Sequence, residues 1–263
     1  MCHGLNSAGG IGRALWRPRE CALFILLVAA CPTGALTPAA AQSKPSVYQA
    51  TLQEPNQKTP EVTTEELQKL LAGAVPLLDV RSPQEYAIAH IPGSVNLYEE
   101  EVERVVKAYP DKGTHLVLYC NGPYCGKSKR LSEQLTALGY LNVRRYQLGL
   151  PVWRALGNTV QTDPEGFRYV FTRDRTAVFV DARSPREFAA GSVPGAVNIR
   201  AGEAEKANED GRLPHKDKGT RVIVFAGSGQ EARAVAEEIA RKAYWNSSYL
   251  GGSYEELKRT RLW

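Results

Sequence analysis

Short apolar runs alternate with stretches of helical spacing along most of this chain. Thr63-Thr64-Glu65-Glu66 opens a first helix: a Thr cap, acids in the first turn, and Leu67, Leu70 and Leu71 on one face, with Gly73 ending it. Leu77-Leu78-Asp79-Val80, bounded by Pro76 and Arg81, reads as a strand buried on both faces. Residues 99–107 read as a helix with Val102, Val105 and Val106 inward. Leu116-Val117-Leu118-Tyr119 is the next buried strand. Ser128 is placed to cap a helix whose Leu131, Leu135 and Leu138 repeat at helical spacing, and Gly139 to end it. Residues 142–146 form a fourth strand-like run, and residues 148–153 lead to a last short helix. Strands alternating with helices in this order predict an α/β fold, a small parallel sheet flanked by helices on both faces.

The pattern is written twice. Asp79-Val80-Arg81-Ser82-Pro83-Gln84-Glu85-Tyr86 runs on to Pro92-Gly93-Ser94-Val95-Asn96. Asp181-Ala182-Arg183-Ser184-Pro185-Arg186-Glu187-Phe188 runs on to Pro194-Gly195-Ala196-Val197-Asn198, without a gap, 102 residues later. The second copy continues in the same order: an apolar run at 177–180, another at 221–225, and a helix with Ala232, Val235, Ala236 and Ile239 on one side. A chain of 263 residues therefore divides into two tandem domains, 61–160 and 165–263, each of a common size for an independent core. The copies part ways in one loop. In the first it is Cys120-Asn121-Gly122-Pro123-Tyr124-Cys125-Gly126-Lys127-Ser128; in the second it is Ala226-Gly227-Ser228-Gly229-Gln230, with no cysteine.

Residues 1–41 fit neither copy. Arg13, Arg17 and Arg19 precede an uncharged apolar stretch at 21–30, and small residues follow to Ala39-Ala40-Ala41. This is the layout of a secretory signal, which implies a periplasmic or cell-envelope protein. The dense apolar part is about ten residues, half of the about 20 that a spanning helix needs. An uncleaved anchor is a further alternative, opposed by Pro32, Gly34 and Pro38. Leu27-Val28-Ala29-Ala30-Cys31 also resembles a bacterial lipobox, which would tether the protein to a membrane through a lipidated Cys31. Residues 42–60, rich in Gln, Pro, Ser and Thr, read as a linker. The net charge of +5 is partly N-terminal, and no Lys/Arg run is long enough to argue for nucleic acid.

Cys120 directly follows a buried strand, and ligands of parallel α/β sheets bind at the carboxyl ends of strands, in loops that feed helix N-termini. Amide N–H groups around the sulfur, with Lys127, Lys129 and Arg130 nearby, would lower a thiol pKa from about 8.5 and hold a small oxyanion beside it. Gly122 and Gly126 let the backbone fold around one atom. Asn121, Gly122, Pro123, Tyr124, Gly126, Lys127 and Ser128 are the expected anion-binding loop.

These residues carry a resemblance. The order D-x-R-x-x-x-E-[FY], then H-I-P-G-[SA]-x-N, then an apolar strand, a loop-opening Cys and a helix resembles the rhodanese (sulfurtransferase) family, over nearly all of the chain beyond residue 60. The resemblance implies two rhodanese-like domains, the second without a catalytic cysteine. It also implies a cysteine that takes sulfane sulfur from thiosulfate or a related donor as a persulfide and passes it to a thiol or cyanide. Carried over by position, Cys120 is the nucleophile. Two departures stand out: Ser128 lies eight positions after Cys120 where six is commoner in the family, and Cys125 is a second thiol that could resolve a persulfide or itself be the nucleophile.

Asp79, Arg81 and Glu85 recur beside the cysteine-free loop, so they read as a structural network at the strand end. His90, with Ser192 in the second copy, reads as a turn cap before Ile91-Pro92-Gly93, and Arg144 and Arg145 as a solvated strand end. No His/Cys/Asp/Glu cluster has metal-ligand spacing and no dinucleotide or Walker fingerprint is present, so no metal or cofactor is expected. A Cys-based phosphatase needs an Arg six positions after its nucleophile, and Gly126 stands there. A thiol-disulfide protein using Cys120 and Cys125, and a non-catalytic binding module, remain as alternatives.

Overall fold

Helix and strand ends fall where local chemistry dictates, as the computed structural model of the chain shows for residues 56–98 and 100–263. The expected signal, the lipobox-like Cys31 and the expected linker up to residue 55 lie outside the described residues.

Helix α1 (Thr64–Ala72) is opened by Thr63: its hydroxyl accepts the Glu66 N–H at 3.1 Å while Glu66 Oε2 accepts the Thr63 N–H at 2.8 Å. This reciprocal cap satisfies two amides that the helix cannot. Strand β1 (Leu77–Asp79) follows, then α2 (Pro83–Ile88), capped in the same way by Ser82 and Glu85, then β2 (Val95–Asn96). Helix α3 (Val102–Ala108) begins at Val102, with Glu101 at the N-cap position, later than the expected start. Strand β3 (Leu116–Tyr119), α4 (Lys127–Ala137), β4 (Val143–Tyr146) and α5 (Gly149–Ala155) complete the first half. All four strands are parallel, in the order β2-β1-β3-β4.

The second half opens with two elements the apolar pattern left unread, β5 (Val160–Thr162) and α6 (Pro164–Arg173). It continues with β6 (Val178–Asp181), α7 (Pro185–Ala190), β7 (Val197–Asn198) and α8 (Ala204–Glu209). It ends with β8 (Val222–Phe225), α9 (Gly229–Ala240), β9 (Ser247–Leu250) and α10 (Tyr254–Arg259). Its parallel sheet has the order β5-β9-β8-β6-β7. The chain is thus two parallel-sheet α/β units, each with helices on both faces.

Alternating side chains of each strand feed opposite cores. Leu77, Val117, Tyr119 and Tyr146 pack under α1 and α5 with Leu67 and Trp153, whereas Leu78, Leu116, Leu118 and Val143 pack under α3 and α4 with Val105, Leu131 and Leu135. In the second sheet Val180, Val222 and Val224 meet Val235 and Ile239 of α9, and Phe179, Ile223 and Phe225 meet Phe167 of α6 and Leu257 of α10. Each such side chain taken fully out of water contributes about 1.5–3 kcal/mol.

Both halves belong to one compact unit. His90 and Gln161 exchange both backbone hydrogen bonds at 2.9 Å, the Asp163 N–H donates to the Ala87 carbonyl at 2.8 Å, and α2 packs on α6. Gly166 makes this approach feasible: a Cβ there would sit 1.9 Å from the Ala87 carbonyl oxygen.

Two expectations need correction. Arg145 is not a solvated strand end. It is buried and ion-paired with buried Glu61, whose backbone bridges it in parallel register, because the chain before α1 lies along β4. The end of the expected linker is docked by the same contacts: the Arg145 N–H donates to the Pro60 carbonyl at 2.9 Å, and buried Thr59 shares a hydrogen bond with Ser132 at 3.1 Å.

Candidate active site

Strand β3 lies between β1 and β4 and is buried throughout, so the residue it releases, Cys120, is held by the core on three sides. The following turn is pinned to the start of α5. The Leu150 N–H donates to the Cys120 carbonyl at 3.2 Å, and a Cβ on Gly149 (φ +65°) would lie 2.4 Å from that same oxygen. Gly122, at φ +104°, then reverses the chain so that its carbonyl accepts the Cys125 N–H at 2.9 Å.

The Cys120 thiol is 1 % exposed. It donates to the Cys125 carbonyl at 3.2 Å and lies 3.4 Å from the Ser128 hydroxyl. The Ser128 backbone amide adds a second interaction favouring thiolate. Burial outweighs these and, with the Cys125 side chain, pushes the thiol up to about 11. The expected thiolate-favouring ring of amides is therefore replaced, in this conformation, by one amide, one hydroxyl and an opposing carbonyl. Ser128 is not the cap either. Gly126 occupies that position in right-handed helical conformation, α4 starts at Lys127, and the buried Ser128 side chain turns inward to the sulfur.

The remaining loop residues scatter. Asn121 joins the neighbouring network, donating to Glu85 Oε1 at 2.5 Å and accepting from Arg81 at 3.5 Å. The Pro123 carbonyl accepts from Gln147 at 3.4 Å, Tyr124 is fully exposed, and the Lys127 ammonium sits 4.8 Å from the Tyr98 ring centre. Arg130 lies over Gly126, its guanidinium 2.7 Å from where a Cβ would be. Cys125 is half-buried, and both it and Cys120 are free thiols.

Asp79, Arg81 and Glu85 form one network beside the loop. Arg81 bonds both Asp79 oxygens and the Ala89 carbonyl, while Glu85 accepts from the Ser82 N–H and hydroxyl. Burial works against the Arg81 charge, but Asp79 outweighs it and raises the guanidinium above its usual range; Ser82 and Asn121 hold the Glu85 carboxyl down against its own desolvation. The second half repeats the arrangement with Asp181, Arg183, Glu187 and the Gly191 carbonyl. His90 is buried at the seam between the halves. Its Nδ1 meets the Tyr86 carbonyl at 2.9 Å, its ring stacks on Tyr86 at 3.8 Å, and Nε2 is 4.0 Å from Asp163, so it faces the end of α2 and not the following turn.

The periodicity gave no hint of Tyr119. Its hydroxyl donates to Asp79 Oδ2 at 2.5 Å and accepts the Ile91 N–H at 3.0 Å, tying β3 to the network. Arg154, Arg221 and Trp245 were missed as well; with Arg81, Glu85 and Asn121 they line a cavity of about 350 Å³. They come from three distant stretches, which no spacing rule joins. Among the described residues, no group of three or more His, Cys, Asp and Glu is placed to hold a metal ion. No described helix is long and apolar enough to cross a membrane.

The rhodanese-like domain matches residues 63–156 and again residues 171–260. The chain belongs to the rhodanese-like family. It carries the domain in tandem, and the second rhodanese-like unit has no cysteine. Thiosulfate sulfurtransferase PspE of Escherichia coli (strain K12) is 40% identical over 68 residues, 25% of this chain and 62% of that protein. Thiosulfate sulfurtransferase GlpE of Pseudomonas fluorescens is 30% identical over 107 residues, 40% of this chain and 94% of that protein. The crystal structure of a thiosulfate sulfurtransferase from Pseudomonas aeruginosa aligns at 22% identity and TM-score 0.35, covering 75% of this chain and 42% of that one. The chain spans less than two thirds of the length of the E. coli relative.

Proposed function

We propose that this protein is a sulfurtransferase whose nucleophile is Cys120. The observation that carries this reading is a single free thiol at the carboxyl end of a central parallel strand, present in one of two otherwise matching halves. The Cys120 thiolate attacks the outer sulfur of thiosulfate, the sulfur–sulfur bond breaks, and sulfite leaves with its electron pair. A thiolate acceptor or cyanide then takes the outer sulfur, and the electron pair of the broken bond returns to Cys120. The donor class, thiosulfate, is the one named for relatives of the family.

The resting thiol is protonated, so activation requires the Cys125 carbonyl to turn away while the Ser128 amide and hydroxyl stay. An anionic donor approaching Lys127 and Arg130 would favour that exchange by replacing a carbonyl dipole with its own attraction to the cations. Thiocyanate release from thiosulfate and cyanide tests the proposal, compared among wild type, Cys120→Ser and Cys125→Ser. Loss in Cys120→Ser alone, with a gain of about 32 Da on wild type after thiosulfate, supports it. No release and no adduct from wild type would sink it, and loss in Cys125→Ser alone would move the nucleophile. The N-terminal pattern adds the proposal that the protein is exported; equal masses for the full-length and cell-envelope forms would count against cleavage at residue 41.

A further inference from the structure

The cavity beside the Cys120 loop holds a charge imbalance that the chain itself does not resolve. Arg81 is bound by Asp79 and the Ala89 carbonyl. Glu85 spends one oxygen on Asn121 and the other on Ser82. Arg221 has a carboxylate neighbour, Asp174, at 3.2 Å. Arg154 has no such neighbour: among the described residues no carboxylate pairs with it, and its Nε, like that of Arg221, is buried without a hydrogen-bond partner. Burial lowers its pKa to about 9, with the Arg221 and Arg81 guanidinium groups acting in the same direction.

A buried guanidinium without a counter-ion is unfavourable unless something supplies one. Two arginine forks facing one space match a planar or tetrahedral oxyanion. The cavity of about 350 Å³ falls at the lower end of the range, about 300–1,000 Å³, usual for small-molecule sites, so it admits more than a bare ion. One wall is the half-exposed Trp245 ring, suited to an apolar body. Asn121, the residue after Cys120, forms another.

We infer that this cavity binds the oxyanion head of a small organic thiol, anchored by Arg154 of the first half and Arg221 of the second. The identity of the ligand as a thiol rests on the sulfurtransferase reading; the oxyanion site does not. In that reaction the thiolate forms a bond to the outer sulfur of a Cys120 persulfide as the bond to Sγ breaks, and the electron pair returns to Cys120. The cysteine-free half is then more than scaffold, because it completes the acceptor site.

The test uses 3-mercaptopropionate, 2-mercaptoethanesulfonate and neutral 2-mercaptoethanol as acceptors, with thiosulfate as donor. The kcat/KM ratio of either anionic thiol to 2-mercaptoethanol is expected to exceed about tenfold in the intact protein. It falls about tenfold in Arg154→Gln and in Arg221→Gln, and by less in Arg154→Lys, which keeps the charge and so controls for folding. A larger ratio for the sulfonate than for the carboxylate, lost in the same variants, also supports the site and assigns it a tetrahedral head. Calorimetry of 3-mercaptopropionate with Cys120→Ser protein separates the two readings. Arg154-dependent binding sustains the site even if no sulfur is transferred. Absence of binding overturns the site even if thiocyanate forms, as does a ratio unmoved by Arg154→Gln.

Discussion

The Cys120 thiol donates a hydrogen bond to the carbonyl oxygen of Cys125, 3.2 Å away and five residues further along the same loop. A carbonyl in that place accepts from the neutral thiol, and burial, with the Cys125 side chain, pushes that thiol up to about 11. At pH 8 that leaves about one thiolate in a thousand, against about a quarter for an ordinary cysteine of pKa about 8.5. Alkylation of Cys120 by iodoacetamide, followed by peptide mapping, is expected to climb about tenfold per pH unit from 7 to 10. A plateau below pH 8 would show that the thiol is not held neutral by burial. The sign for folding follows: the neutral buried thiol contributes its stability fully below the unfolded-state pKa, and loses it as pH rises through 11.

Ser128 carries the only hydroxyl within hydrogen-bond reach of that sulfur among the described residues. Ser128→Ala removes a bond to a charged sulfur, a loss of about 1.5–3 kcal/mol in the thiolate state, or about 10- to 100-fold in thiocyanate release. The melting temperature should move by only a few degrees. A full-rate Ser128→Ala protein would exclude the hydroxyl from the reaction.

Asp79 and Asp181 have different third partners. Asp79 accepts from the Tyr119 hydroxyl, whereas Phe225 holds the matching register position beside Asp181, and the Ser192 hydroxyl donates at 2.6 Å instead. Tyr119→Phe therefore strands the Ile91 N–H and takes one of the donors from Asp79 Oδ2, which keeps Arg81, and is expected to cost about 1–3 kcal/mol in urea unfolding. Ser192→Ala should cost about as much. Arg81→Ala, leaving a fully buried carboxylate without its cation, costs more, about 3–5 kcal/mol. Unchanged unfolding midpoints in these variants would remove the network from the scaffold.

Much of this was readable from the chain because strands buried on both faces are written as unbroken apolar runs, and because the gapless repeat supplies each half with a control. The cap at Thr63 follows from residue types three apart; the same spacing at Ser82 and Glu85 opens a helix that was not read. What escaped reading depends on contacts between distant residues. Arg145 looks solvent-bound until Glu61 is laid along β4; Ser128 looks like a cap until its hydroxyl is seen against Cys120. Strand β5, Val-Gln-Thr, is too short and too polar to announce itself, and only its pairing with distant β9 and with His90 makes it a strand. The electrostatics of Cys120 turned on how deeply the sulfur is buried beside Cys125, which residue types do not encode.

Gly166 of α6 lies directly against the Ala87 backbone of α2. Gly166→Ala places a methyl inside the Ala87 carbonyl contact and is expected to destabilise by about 1–3 kcal/mol through overpacking. Calorimetry should show the single transition of the intact protein broadening or splitting. A sharp transition at the wild-type temperature would mean the two helices can part without consequence.

Strand β5 gives the tandem arrangement a different meaning from two beads on a string. It enters from the first half, yet it forms the rim of the second sheet, where the Thr162 hydroxyl reaches both the Ile88 carbonyl and Ser248. The matched stretch of the second half starts at residue 171, beyond this strand. A fragment cut to that boundary would leave β9 as a naked sheet edge, a template for pairing with other chains. Strand β5, held to the first half through His90 and Ile88, therefore covers the edge of β9 that such a fragment would expose.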